Sequence, residues 1–142
     1  MLSIVTGLLE TPAAVAARER AYEMAERTSG IVHLVGFLPA EVTDQSHGAE
    51  FQKGRAELQK RLDAACASAR RDHAIGCEAH LVVGASRPSQ AILDIAAEVD
   101  ADLIVIGIRR RSRVGKLVLG SNAQDILMGA NTGVLSVKAD ED

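Results

Sequence analysis

The sequence predicts an α/β protein: an open, doubly wound, mostly parallel sheet with helices on both faces. Three observations carry this expectation. Short apolar, β-branched runs alternate along the chain with longer stretches whose apolar residues recur at helical spacing. One run, Leu103-Ile104-Val105-Ile106, is apolar without alternation, the pattern of a parallel strand buried on both faces. The punctuation between segments, Thr11-Pro12, Gly30, Pro88 and Gly120-Ser121, is of the kind that starts and stops helices.

The elements follow in order. Leu2-Ser3-Ile4-Val5 reads as a buried strand opening into a loop at Thr6-Gly7. Thr11 is an N-cap with Pro12 at the first helical position, where its missing N–H costs nothing. Ala14, Ala17, Ala21, Met24 and Ala25 then repeat at helical spacing until Gly30. Ile31-Val32-His33-Leu34-Val35 is a second strand, ended by Gly36 and Pro39. Glu41 to Gly48 lacks periodicity and reads as a loop. From about Ala49 to Arg71, Phe51, Leu58, Leu62, Ala65, Cys66 and Ala69 share one helical face. Cys77 to Val83 alternates as a third strand, and Pro88 opens a helix carrying Ile92, Ile95, Ala96 and Val99 inward. After the fourth strand, Ser121 to Met128 suits a short helix. Val134-Leu135-Ser136-Val137 is a last strand, expected at a sheet edge and open to pairing with a second copy as a homodimer.

Composition narrows the function. A chain of 142 residues, 47% hydrophobic and 25% charged, is read as one domain, 1–142, with an aliphatic and alanine-rich core. Aromatics at 2% argue against base-stacking platforms, and the net charge of -3 opposes a broad nucleic-acid footprint. No apolar run approaches the ~20 residues of a membrane span. Nothing before the first strand resembles a signal peptide, and the two cysteines form no CxxC pair. The expectation is a cytoplasmic protein bound to neither membrane nor nucleic acid.

Chemistry collects in Gly107 to Asn122, "GIRRRSRVGKLVLGSN", where Arg109, Arg110, Arg111, Arg113 and Lys116 lie among glycines with no acid between them. Right-handed crossovers bring all parallel strand ends to one edge, and ligands in such folds sit there, where the strand order reverses. Gly107 is expected to allow close approach of backbone to a ligand. Gly120-Ser121-Asn122 opens a helix whose free N–H groups and dipole suit an anion. Arginine binds phosphate oxygens bidentately. The loop matches neither GxxxxGK[ST], since Leu117 replaces the Ser/Thr, nor GxGxxG. The plain alternative is a solvated basic hairpin.

The stretches "VVGASRPSQAILDIA", "DADLIVIG" and "LVLGSNAQDIL" resemble the universal stress protein family over essentially the whole chain. Nucleotide-binding relatives carry G-x2-G-x9-G-[ST], matched here by Gly107 and by Gly120-Ser121. The resemblance implies five parallel strands, a homodimer and binding of ATP or a related adenine nucleotide. Together with the loop's own chemistry it leads to an expectation of phosphate contacts from Gly107, Arg109, Arg110, Gly120, Ser121 and Asn122. Thr6, Gly7, Gly36 and Phe37 would border the base. Two positions depart from the family pattern. Arg110 stands at the motif's second glycine, as either a phosphate clamp or a plug, and the aspartate expected at the end of the first strand is absent.

Other residues read as structural. His33, His47, His73 and His80 are scattered without ligand spacing, and no metal is expected. Cys66 is assigned to the core. Asp94, Glu98, Asp100 and Asp102 form a solvated face. Ser121 has no nucleophile elbow around it, and no acid/base pair is visible, so no dedicated enzyme is expected. Three readings stand: a nucleotide-responsive binding protein, a homodimeric interaction protein with an empty pocket, and a weak ATP hydrolase.

Overall fold

The computed structural model describes residues 1–40, 48–84, 87–111 and 116–140. Arg113, His47 and the rest of the 41–47 loop, the acidic Glu141-Asp142 end and Ala85-Ser86 lie outside the described residues. The elements are β1 (Ser3–Gly7), α1 (Pro12–Thr28), β2 (Ile31–Pro39), α2 (Ala49–His73), β3 (Gly76–Gly84), α3 (Pro88–Glu98), β4 (Leu103–Arg111), β5 (Lys116–Val118), α4 (Ser121–Gly129) and β6 (Gly133–Asp140).

Five strands pair in parallel in the order β3-β2-β1-β4-β6. The short β5 adds antiparallel to the end of β4, Arg109 opposite Val118 and Arg111 opposite Lys116. β1 and β4 sit inside the sheet, so Ile4, Val5, Ile104 and Val105 are almost fully buried on both faces, as an unalternating apolar run requires. α1 and α2 cover one face with Ala17, Ala21, Leu58 and Leu62, while α3 and α4 cover the other with Ala91, Ile95 and Ile126. The fold is the doubly wound α/β sheet that the element order predicts.

Local chemistry mostly follows the sequence. The Thr11 hydroxyl accepts from the Ala14 N–H at 3.2 Å, capping α1 ahead of Pro12. The helix stop differs from expectation: Ser29, not Gly30, takes the left-handed cap conformation at φ 52°. Gly30 is needed for another reason, because the Leu2 carbonyl lies where its Cβ would be. Strands also run past their expected ends. β2 continues through Gly36 to Pro39, and β4 continues through Gly107 to Arg111, so the predicted basic loop begins as strand. The antiparallel strand β5 supplies partners for the extra residues of β4, which periodicity in β4 alone does not reveal.

Gly107 is likewise a packing glycine. A Cβ there would collide with the Ala13 carbonyl at the start of α1, so its absence is what lets the helix lie down on β4. On the same face, Cys66 of α2 and Cys77 of β3 meet with sulfurs 2.9 Å apart, both buried. They share a hydrogen bond that holds the proton on Cys77, and that bond together with burial pushes the Cys77 thiol far above the usual range.

Two outcomes follow. Gly107→Ala should destabilise the protein by about 1–3 kcal/mol or more, read from the urea midpoint, because the added methyl has no space except by moving α1. Neither thiol should react with a disulfide reagent in the native protein, and both should react once it is unfolded.

Candidate functional site

The strand order reverses between β1 and β4: the chain passes outward from β1 to β2 and β3, then crosses back to β4. A cavity of 340 Å³ opens at the C-terminal ends of those two strands. Its floor is Thr6 and Gly7 from β1 with Val105, Ile106 and Gly107 from β4. Its walls come from the first turns of three helices, at Thr11 to Ala14 of α1, Pro88-Ser89 of α3 and Gly120 to Ala123 of α4. Helix N-termini carry partial positive charge and unpaired N–H groups, so their convergence makes the cavity an anion-seeking space. No carboxylate among the described residues lines it, and Arg109 stands at its rim.

Gly120 is the N-cap of α4, extended at φ -67° ψ 165°, with no side chain to cap the helix. A Cβ there would meet nothing within 4 Å among the described residues, unlike that of Gly107. Neither backbone conformation nor packing against the described residues requires glycine at this position. Ser121 follows it, exposed, and neither Ser121 nor Arg109 has a side-chain partner among the described residues.

The other predicted residues are placed as follows. Arg110 alternates to the opposite face of β4 from Arg109, and its Nε donates to Asp140 Oδ1 of β6 at 2.9 Å. It is not among the residues that line the cavity, and what it forms in this structure is a cross-strand ion pair. Asn122 lines the cavity, but its Oδ1 accepts from the Ser89 N–H at 3.3 Å and ties α4 to the start of α3. The Thr6 hydroxyl donates to the Val105 carbonyl at 2.8 Å and holds β1 to β4. Gly36 lies inside β2 beneath Leu58 and Leu62 of α2, away from the cavity, its missing side chain replaced by those leucines. Phe37 lines an adjoining cavity of 270 Å³ that shares Gly7, Leu9, Pro88 and Ile92 with the first.

Two groupings escaped the sequence. Ser89, almost fully buried, donates to Asp125 Oδ2 at 2.9 Å, and Arg87 pairs with the same oxygen at 3.2 Å, fixing α3 against α4 behind the cavity. The histidines are not scattered in space: parallel pairing of β2 and β3 brings His33 and His80 to 2.9 Å beside Glu78. Burial lowers the His33 pKa first, the neighbouring His80 lowers it further, and Glu78 opposes both. The signal available in the sequence was Glu78-Ala79-His80, two groups two residues apart on one strand face.

The whole arrangement has close parallels. The chain aligns with a universal stress protein from Archaeoglobus fulgidus at 34% identity, covering 97% of this chain and 99% of that one, with a TM-score of 0.76. A structure of the universal stress protein from the same organism in complex with dAMP matches at 29% identity over 97% of this chain and 98% of that one, with a TM-score of 0.71. A universal stress protein of Mycolicibacterium smegmatis is 59% identical over 39 residues, a stretch that spans 28% of this chain and 30% of that relative. The universal stress protein family profile matches residues 1–138, and the chain belongs to that family.

Proposed function

We propose that this chain is a cytoplasmic stress-response protein that binds an adenine nucleotide, ATP or a relative of it, in the cavity between β1 and β4. The observation that carries the reading is Gly120: a glycine that none of the described residues requires, at the uncapped start of α4, facing a cavity that no described carboxylate lines. A phosphate there would receive the amides of Ser121 and Asn122, the Ser121 hydroxyl and, from the rim, Arg109. The adjoining cavity, walled by Phe37, Pro88 and Ile92, has the apolar lining that a base requires. The relative solved with dAMP supports an adenine nucleotide as occupant. The role is binding and not catalysis, because no acid among the described residues lines the cavity at the start of α4 to hold a metal ion or orient a water.

A homodimer through β6 belongs to the same proposal. β6 pairs only with β4 among the described strands, and Val134, Leu135, Ser136 and Val137 are half-buried along it. Such an edge offers a row of unpaired backbone groups to a twin. Sedimentation should report a species of twice the 15.0 kDa chain mass at micromolar concentration, and a monomer would remove this part of the proposal.

Calorimetric titration with AMP, ADP and ATP tests the site. Gly120→Asp separates function from fold by sign. The carboxylate caps α4 and should stabilise the protein by a few tenths to about 1 kcal/mol, yet it repels phosphate and should abolish binding. Arg109→Ala should weaken binding about tenfold. Arg110→Gly should change it by less than about twofold, since its exposed pair with Asp140 contributes little. Failure of the wild type to bind any of the three at millimolar ligand would sink the nucleotide reading.

A further inference from the structure

We propose that His33, Glu78 and His80 form a binding site for one divalent first-row metal ion, with Zn²⁺ the best match to two imidazoles and a carboxylate. The site is built by the sheet. β2 and β3 pair in parallel with His33 opposite Glu78 and Val35 opposite His80. Alternation puts Glu78 and His80 on the same face as His33.

Three donor atoms converge there. His33 Nδ1 lies 2.9 Å from His80 Nε2 and 3.5 Å from Glu78 Oε2, and the last two atoms are 4.0 Å apart. The same nitrogen of each ring is used in every contact, so all three groups address one point. A position about 2.0 Å from each of the three atoms exists within that triangle, which is the length of Zn–N and Zn–O bonds. The contacts to the carboxylate are too long for good hydrogen bonds. The two imidazoles share a hydrogen bond at 2.9 Å, whereas the carboxylate stands off both rings at a distance that an ion among the three atoms would bridge.

Burial grades across the site. The His33 side chain is 7% exposed, held in the sheet, whereas that of Glu78 is 58% exposed and leaves an entry path from solvent. Three protein ligands leave a fourth position, which water or a group from another molecule would fill. His73 is a built-in contrast. It too has two carboxylates nearby, but it meets Glu26 through Nδ1 and Glu19 through Nε2, on opposite sides of its ring, where no single ion reaches both. None of the three proposed ligands lines the nucleotide cavity, so the two sites are separable.

The test uses the full chain without an affinity tag, stripped with chelator and titrated with Zn²⁺ by calorimetry, with thermal unfolding in parallel. The expected result is one ion per chain and a raised Tm, since an ion bound only by the folded state stabilises it. His80→Ala should lower affinity about a hundredfold and Glu78→Gln about tenfold, with the Zn²⁺-dependent rise in Tm lost in step. Both side chains are at least partly exposed, so both variants should fold. His73→Gln and Cys66→Ala should bind as the wild type does. Absence of binding at millimolar Zn²⁺ would overturn the proposal. So would binding unchanged by His80→Ala and Glu78→Gln, or binding lost with His73 or Cys66.

Discussion

The two halves of the sheet meet along a short seam, Ile4 to Thr6 of β1 against Leu103 to Val105 of β4. Every other feature depends on it. The seam is closed at one end by a reciprocal pair, the Ser3 N–H donating to the Asp102 carboxylate and the Asp102 N–H donating to the Ser3 carbonyl. At the other end the Thr6 hydroxyl donates to the Val105 carbonyl. Beyond Thr6 the two strands part, because β1 stops at Gly7 while β4 runs on to meet β5. The gap left by that parting is the cavity. Its position is a consequence of strand lengths and strand order, before any side chain is considered.

Close approach of the helices then determines how deep the gap is. α1 can settle on β4 because Gly107 has no Cβ beneath the Ala13 carbonyl. α3 is held to α4 by Ser89, Asn122, Asp125 and Arg87. Each contact aims a helix start at the same space. Two glycines of one motif thus do different things: Gly107 admits a helix, and Gly120 leaves the start of α4 open, with none of the described residues against it.

Charge is distributed to match. The run of cations that dominates the sequence does not act as a block, because alternation along β4 sends Arg110 to Asp140 while Arg109 stays at the cavity. Exposed ion pairs contribute little to stability, so the pair with Asp140 matters mainly for where it takes the guanidinium. On the other side of β1, the same alternation gathers two imidazoles and a carboxylate from β2 and β3 on one face.

The sequence by itself determined the element order, the buried β4 and the Thr11 and Pro12 helix start, because these depend on local periodicity and backbone chemistry that adjacent residues carry. It also pointed to the end of the fourth strand, where Gly120, Ser121 and Arg109 line a cavity, because a parallel α/β sheet opens at its strand ends. It did not determine where β2 and β4 end, because strand length depends on a partner: β3 for the residues after Val35, β5 and β6 for those after Ile106. It could not tell that Gly36 fits under α2, that Arg110 pairs with Asp140, or that His33 meets His80. Those contacts join residues 30 to 47 positions apart in the chain or lie between a helix and a strand. Register decided them, and register is a property of strands once paired and not of any one of them alone.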